Sequence, residues 1–346
     1  MLAATTDLLR LLAVPALGWA AWRDVRTRRL PNRLWYPLLV VGLLTLAWDA
    51  LGHLPVAGVD DRLFLVRVGI SLLVVVPLAY GLWWIGGFGG ADAKAMMTLA
   101  VLFPTYPVFY LASGAYPAVV TDVGVFSMTI LTNAVLVGLA YPVYLGVRNG
   151  LRGDRGTVMF LGRRTEVSAL PAEHGRLFET TEGFTRQGLD LDALRMYLRW
   201  RGTTLAALRS APAAHRDPAS VGETHEPTDG AVDAGADDGA GRPGSAAGGG
   251  AADGGAAGDD ATVGDASLDG DGDDPWAAER FLDAVEGSAY GTAPEDLREG
   301  LRVVTTRETV WLSPGIPFLV PIFLGLVVAL TYGDLLFGLL VALGVA

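Results

Sequence analysis

Apolar positions in this chain come as long runs, not as the alternation of strands or the narrow stripes of surface helices. Residues 7–22, 34–51, 63–85, 94–113, 121–147 and 316–332 each approach the ~20 apolar residues that a helix needs to cross ~30 Å of hydrocarbon. They predict an all-α, polytopic membrane protein of about six transmembrane helices. Five fall within residues 1–148, and the sixth lies in 313–346. After Gly333-Asp334 the tail LLFGLLVALGVA is too short to cross alone, so it either lengthens the last helix or lies in the interface. Met1 to Asp7 has no basic stretch, and no cleavable signal is expected there.

Between 149 and 312 the pattern changes. Residues 190–208 set Leu191, Leu194, Leu198 and Leu205 near one helical face. Residues 275–288 and 292–304 read as two more short helices, the second with Pro294 in its first turn. Residues 209–275 hold almost no large apolar side chains and cannot bury enough surface to offset chain entropy. The expectation is a soluble insertion, 149–312, partly helical around a disordered acidic linker at about 209–275.

Charge follows that division. Of the net −11, the stretch 217–274 carries fifteen Asp and Glu against Arg242 alone, which leaves the rest of the chain at +3. No nucleic-acid partner is expected. Basic residues gather after alternate apolar runs: Arg23, Arg26, Arg28, Arg29 and Arg33, then Lys94, then Arg148, Arg152 and Arg155. The stretches DALGHLPVAGVDD and SGAYPAVVTD, which follow the second and fourth runs, hold no Lys or Arg, and Arg62 comes only at the start of the third run. The positive-inside rule then predicts a cell-membrane protein with its N-terminus outside and its large loop cytoplasmic.

Candidate chemistry narrows quickly. The chain has no cysteine, which removes thiolate nucleophiles, thiolate metal sites and disulfides together. His53, His174, His215 and His225 show no metal-ligand spacing, so neither metal nor cofactor is expected. Asp49, Asp60, Asp61, Asp122 and Asp334 read as ordinary acids of outer connections, and Arg67 as a snorkelling cation. Asp24 and Asp92 stand apart, because the predicted topology puts both at the cytoplasmic face. Asp24 reads either as a surface acid among arginines or as an acid facing the bundle interior. Asp92 reads either as a helix cap or as its functional partner. The glycines Gly86, Gly87, Gly89 and Gly90 before it open the backbone to close approach. Lys94 is the only lysine, placed to meet a carboxylate or a lipid phosphate. Two carboxylates held a few ångströms apart retain one proton between them, the arrangement that activates water against a peptide carbonyl. A helix N-terminus favours Asp92 as the ionised base, with Asp24 holding the proton.

These residues resemble a known family. RDVRTRRLPNRLWYP (23–37), with Pro31-Asn32 opening the second helix, resembles the first aspartate motif of archaeal prepilin and preflagellin peptidases, the type IV prepilin peptidase-like aspartic proteases. GGFGGADAKAM (86–96) resembles their Gly-x-Gly-Asp motif followed by Lys, with Ala91 where the strict pattern has glycine. WLSPGIPFLVPIFLG (311–325) is similar to the start of their last helix. The resemblance implies Asp24 and Asp92 as the catalytic pair, supported by Gly87, Gly89, Gly90, Lys94, Pro31 and Asn32. It implies the N-terminal leaders of pilin-like and archaellin precursors as partners, and the bilayer as the setting. Competing expectations are a presenilin or signal-peptide-peptidase type of intramembrane protease and a non-enzymatic transporter. The first lacks its Tyr-Asp pair here, since Trp22 and Arg23 precede Asp24, and PAL occurs at 15–17, before both acids.

Overall fold

A computed structural model describes residues 3–28, 30–85, 87–185, 188–232, 274–285, 289–315 and 317–345. Arg29, Gly86 and residues 233–273 of the expected linker lie outside the described residues. The chain divides into two units, one of residues 1–143 and 316–346, the other of residues 144–315.

The first unit opens with α1 (Thr5–Arg10) and α2 (Ala13–Thr27). Pro15 divides the expected first span, because its ring has no N–H for Leu11 and crowds that carbonyl. The chain passes the break on tighter bonds, Leu11 N–H to Leu8 and Val14 N–H to Leu11. A 3-10 turn, Asn32–Leu34, leads into α3 (Trp35–Gly52). Next come α4 (Val59–Ile70) and α5 (Val76–Trp84), joined through a π turn at Ser71–Val75. Pro77 cannot donate to Leu73, and the widened turn absorbs the missing bond. The π turn faces inward: Ser71 Oγ donates to the Ala100 carbonyl at 2.7 Å and lies 2.7 Å from Ser127 Oγ. Then comes α6 (Gly90–Leu102). The expected fourth span, 94–113, is helical only to Leu102, since the residue before Pro104 is pushed out of the helical region. The remainder folds into a hairpin, β1 (Phe109–Leu111) with β2 (Gly114–Tyr116). The fifth run becomes α7 (Phe126–Gly138) and α8 (Ala140–Arg152).

The second unit is not all helix. It holds β3 (Arg163–Glu166), β4 (Arg176–Leu177), α9 (Leu191–Trp200), α10 (Leu205–Ser210), α11 (Pro212–Arg216), α12 (Ala278–Asp283), α13 (Pro294–Thr306) and β5 (Thr309–Ser313). β5 is central and antiparallel to both β3 and β4. The four leucines expected on one face are all buried, on two helices separated by Gly202 in the left-handed region at φ +63°. They pack with Tyr197, Trp200, Phe281, Leu297, Leu301, Val310 and Leu312. Pro294 is the first residue of α13, as its fixed φ favours. Residues 209–232 of the expected linker are folded onto this unit: the His225 N–H donates to the Trp200 carbonyl at 2.8 Å, and Arg195 Nε to the Gly230 carbonyl at 2.6 Å.

Back in the first unit lie α14 (Leu319–Thr331) and α15 (Leu335–Ala342). The tail does not lengthen α14. Gly333 turns the chain at φ +106°, and Asp334 caps α15 by accepting the Phe337 N–H at 2.8 Å. Asp334 is buried and also accepts from Thr129 Oγ1 at 2.8 Å, so it is a structural joint and no solvated loop acid. Arg67 likewise has a partner, donating from Nε to the Val123 carbonyl at 2.8 Å.

The fold is therefore mostly helical with a few short strands. Among the described residues, three helices are long and apolar enough to cross a membrane: Asn32–Gly52, Val59–Trp84 and Phe126–Arg152. Leu319–Thr331 is apolar but shorter. Outward faces carry Leu43, Leu44, Trp48, Leu51, Leu73 and Trp84, the surface that lipid tolerates and water does not. The most extensive helix packing is α7 on α14. A Cβ at Gly325 would lie 2.7 Å from the Ala134 nitrogen and 2.9 Å from the Ile130 carbonyl oxygen, so the two backbones meet there without a side chain between them. Gly325→Val is expected to lower the stability of the solubilised protein by roughly 1–3 kcal/mol, read as a lowered unfolding temperature. Gly81→Ala, whose new methyl meets nothing within 4 Å, serves as the neutral comparison.

Candidate active site

Asp24 belongs to the last turn of α2, and Asp92 is the third residue of α6. Neither lies inside its apolar run, 7–22 or 94–113. The chain leaves α2 through Arg28, which adopts the left-handed conformation (φ +55°) and donates its N–H to the Asp24 carbonyl at 3.0 Å. That reversal keeps the cation of Arg28 close to the acids, and it acts electrostatically on both.

Asp92 is held by the backbone ahead of it. The Gly89 N–H donates to Asp92 Oδ2 at 3.1 Å. Glycine has no side chain to return the bond, so half of a capping box forms. A Cβ at Gly89 would lie 2.9 Å from Asp92 Oδ2, which accounts for glycine at that position. Gly87 turns the chain, its N–H donating to the Leu82 carbonyl at 2.7 Å. At Gly90 the nearest atom to an added Cβ is Trp83 Nε1 at 3.7 Å, an ordinary contact. Ala91 packs at the margin of the core, so the departure from the strict glycine pattern meets no obstacle.

Lys94 pairs with neither carboxylate. Its Nζ donates to Asn32 Oδ1 at 2.9 Å, tying the start of α6 to the turn after Pro31. The two motifs, far apart in sequence, thus share a direct bond, and α3 and α6 pack along their length.

Burial raises both acids above the usual carboxylate range. For Asp24 the cause is desolvation, opposed by Arg28. For Asp92 desolvation comes first and the neighbouring Asp24 carboxylate second; together they outweigh the Gly89 N–H and Arg28 and push it up to about 7. This runs against the expectation that the helix N-terminus keeps Asp92 ionised: one N–H does not offset burial plus a like charge. Such a pair titrates as a unit and shares one proton near neutrality.

Two features at this site escaped sequence reasoning, namely the Lys94–Asn32 bond and the reach of Arg28 to both acids. A basic residue four places after Asp24 was the only trace of the latter. Elsewhere in the same unit, Arg10 is buried and bonds Asp7 at 2.9 Å and Asp49 at 2.6 Å. Asp49 is therefore no solvated loop acid. It sits on α3 and meets a cation from α1. Among the described residues no group of three His, Asp or Glu gathers as a metal would require.

The stretch that contains both motifs matches a known family. Residues 11–143 match the type IV leader peptidase family, and residues 276–335 match the archaeal peptidase A24 C-terminus type II. A preflagellin peptidase of Methanococcus voltae is 26% identical over 134 residues, 38% of this chain and 53% of that protein. A preflagellin peptidase of Methanocaldococcus jannaschii is 24% identical over 159 residues, 42% and 62% of the two chains. The prepilin peptidase EppA of Methanothermobacter thermautotrophicus is 29% identical over 133 residues, 38% and 32%. The chain thus spans from about a third to three fifths of the relatives it matches.

The raised Asp92 makes a prediction that needs no substrate. Well below pH 4 the carboxyl is protonated in folded and unfolded chains alike. As pH rises from about 4 to about 7, the unfolded chain ionises while the folded one keeps its proton, and folding loses stability until the folded carboxyl has ionised too. Asp92→Asn removes that loss. Its unfolding temperature relative to wild type should therefore rise between pH 5 and pH 8, measured by thermal denaturation at each pH.

Proposed function

We propose, from the match of residues 11–143 to the type IV leader peptidase family and of residues 276–335 to the archaeal peptidase A24 C-terminus type II, a membrane-embedded aspartic endopeptidase with Asp24 and Asp92 as its catalytic pair. Its substrates are the N-terminal leaders of type IV pilin-like and archaellin precursors, cut on the cytoplasmic side. The observation that most supports this is the electrostatic coupling of the two carboxylates from separate helix ends. Gly87, Gly89, Gly90, Lys94, Pro31 and Asn32 frame the pair.

The chemistry follows from the unequal acids. Ionised Asp24 takes a proton from water, whose oxygen attacks the scissile carbonyl carbon. Protonated Asp92 gives its proton to the carbonyl oxygen, and a neutral gem-diol results. On collapse the C–N bond breaks, Asp24 passes its proton to the departing nitrogen, and a gem-diol hydroxyl returns one to Asp92. Water is consumed and both acids regain their starting states.

Six crossings serve this reading, made by the apolar parts of α1 with α2, α3, α4 with α5, α6, α7 with α8, and α14, with Asp24 and Asp92 outside them at the ends of α2 and α6. At 1.5 Å per residue, α6 reaches only about 20 Å. The backbone beyond it is irregular, but Phe103, Pro104 and Phe109 are buried in protein, where such backbone is tolerated at membrane depth. The arginine-rich connections support a cytoplasmic face for both acids and an outer N-terminus. A substrate helix lying in lipid would then present its polar neck at the inner boundary.

In a cell-free assay on a pilin-like precursor, Asp24→Asn and Asp92→Asn are each expected to lose about 10²–10⁴-fold in cleavage rate. Near-wild-type cutting by either variant would overturn the pair. Wild-type rate should fall on both sides of an optimum, the alkaline limb near pH 7 as Asp92 gives up its proton. In the same assay Gly89→Ala, which crowds the Asp92 carboxylate, should be far slower than Gly90→Ala.

A further inference from the structure

Helix Phe126–Arg152 has 27 residues, more than the ~20 a crossing needs, and its only charged residues, Arg148 and Arg152, are in its final turns, which marks that end as the one beyond the hydrocarbon. Those turns do not become polar all round. Tyr144, Val147 and Leu151 share one exposed face, Leu151 at 84%. Arg148 and Arg152 follow along one border of that stripe, and Arg155 lies just beyond the helix. The opposite border is filled by a turn from further along the same unit. Asn149, buried in α8, donates from Nδ2 to the carbonyls of Met159 and Gly162, both at 2.7 Å. The turn seats Phe160 against Gly146, where an added Cβ would lie 2.3 Å from Phe160 Cε1. Val158 is buried beneath it, yet Phe160 and Leu161 stay half exposed, at 51% and 49%. Two adjacent large apolar side chains are thus left half exposed on a turn that a buried asparagine fixes in place.

We propose that the turn around Phe160–Leu161 and the exposed face of α8 form an interfacial anchor that seats this unit in the bilayer surface, with Arg148, Arg152 and Arg155 facing lipid phosphates. The occupant is lipid because the apolar stripe continues a helix long and apolar enough to cross a membrane. Cations along one border of an apolar face match a phosphate layer above acyl chains. Phe160 and Leu161 then lie at the depth of interfacial helices, about 5–10 Å into the headgroup boundary. Asn149 and Gly146 are positioning residues for the anchor.

The absence of cysteine in the sequence makes the test direct. Single variants Leu151→Cys, Phe160→Cys, Leu161→Cys and, as an aqueous reference, Glu295→Cys are spin-labelled in the full chain, reconstituted into phospholipid vesicles. Each is scored for collision with oxygen, which partitions into lipid, against a water-soluble nickel chelate. The oxygen-to-nickel ratio is expected to be several-fold higher at 151, 160 and 161 than at 295. Adding Asn149→Ala should bring 160 and 161 toward the reference while 151 keeps its high ratio. If Phe160→Cys fails to fold, Leu161→Cys carries the test. A ratio at 161 equal to that at 295 overturns the proposal.

Discussion

Two carboxylates drawn out of water toward each other repel, and the rest of the first unit has to hold them there. The repulsion is visible in Asp92, which burial and Asp24 together push up to about 7. Several contacts oppose it at once. The Lys94–Asn32 bond fixes the opening of α6 against the turn that precedes α3. Packing of α3 on α6 and of α2 on α14 closes the bundle on either side. Arg28 supplies one positive charge to both acids, and Gly89 supplies one N–H to Asp92. None of these alone cancels the like charge. Sharing one proton between the two acids is the state that costs least, and it is the state that the proposed hydrolysis uses.

How far this was legible in the sequence depends on distance along the chain. The apolar runs mark where helices lie, because a membrane-length run has few other uses. The special standing of Asp24 and Asp92 also reads from local pattern, since each acid sits among residue types that its neighbours would not otherwise demand. The upward shift of Asp92 does not read that way. Asp92 follows a glycine turn and opens a helix, so local rules favour the anion, whereas burial by distant side chains reverses the balance.

The same limit applies to pairings. Arg10 and Asp49 lie 39 residues apart and meet only because α1 packs on α3, so each looked unremarkable alone. Pro15, Pro77 and Pro104 were visible as letters. Yet whether a proline ends a helix, widens a turn or only bends the chain depends on what packs against it. One divides α1 from α2, one follows a π turn within a continuous helix, and one stops α6. In the second unit, residues 209–232 looked too polar to fold but are held through their backbone, which composition does not report.

The order in which the polypeptide leaves the ribosome adds a last consequence. β5, the middle strand of its sheet, and α14, the main packing partner of α7, are consecutive in sequence and late. At ~5–20 residues per second, α7 waits on the order of ten seconds or more for α14 to be made. During that interval the backbone-close seam at Ile130 and Ala134 stands open, and β3 and β4 lack the strand between them. Nascent chains of this protein therefore have a long window of vulnerability to quality-control proteases, and it ends for both units within a few dozen residues of synthesis.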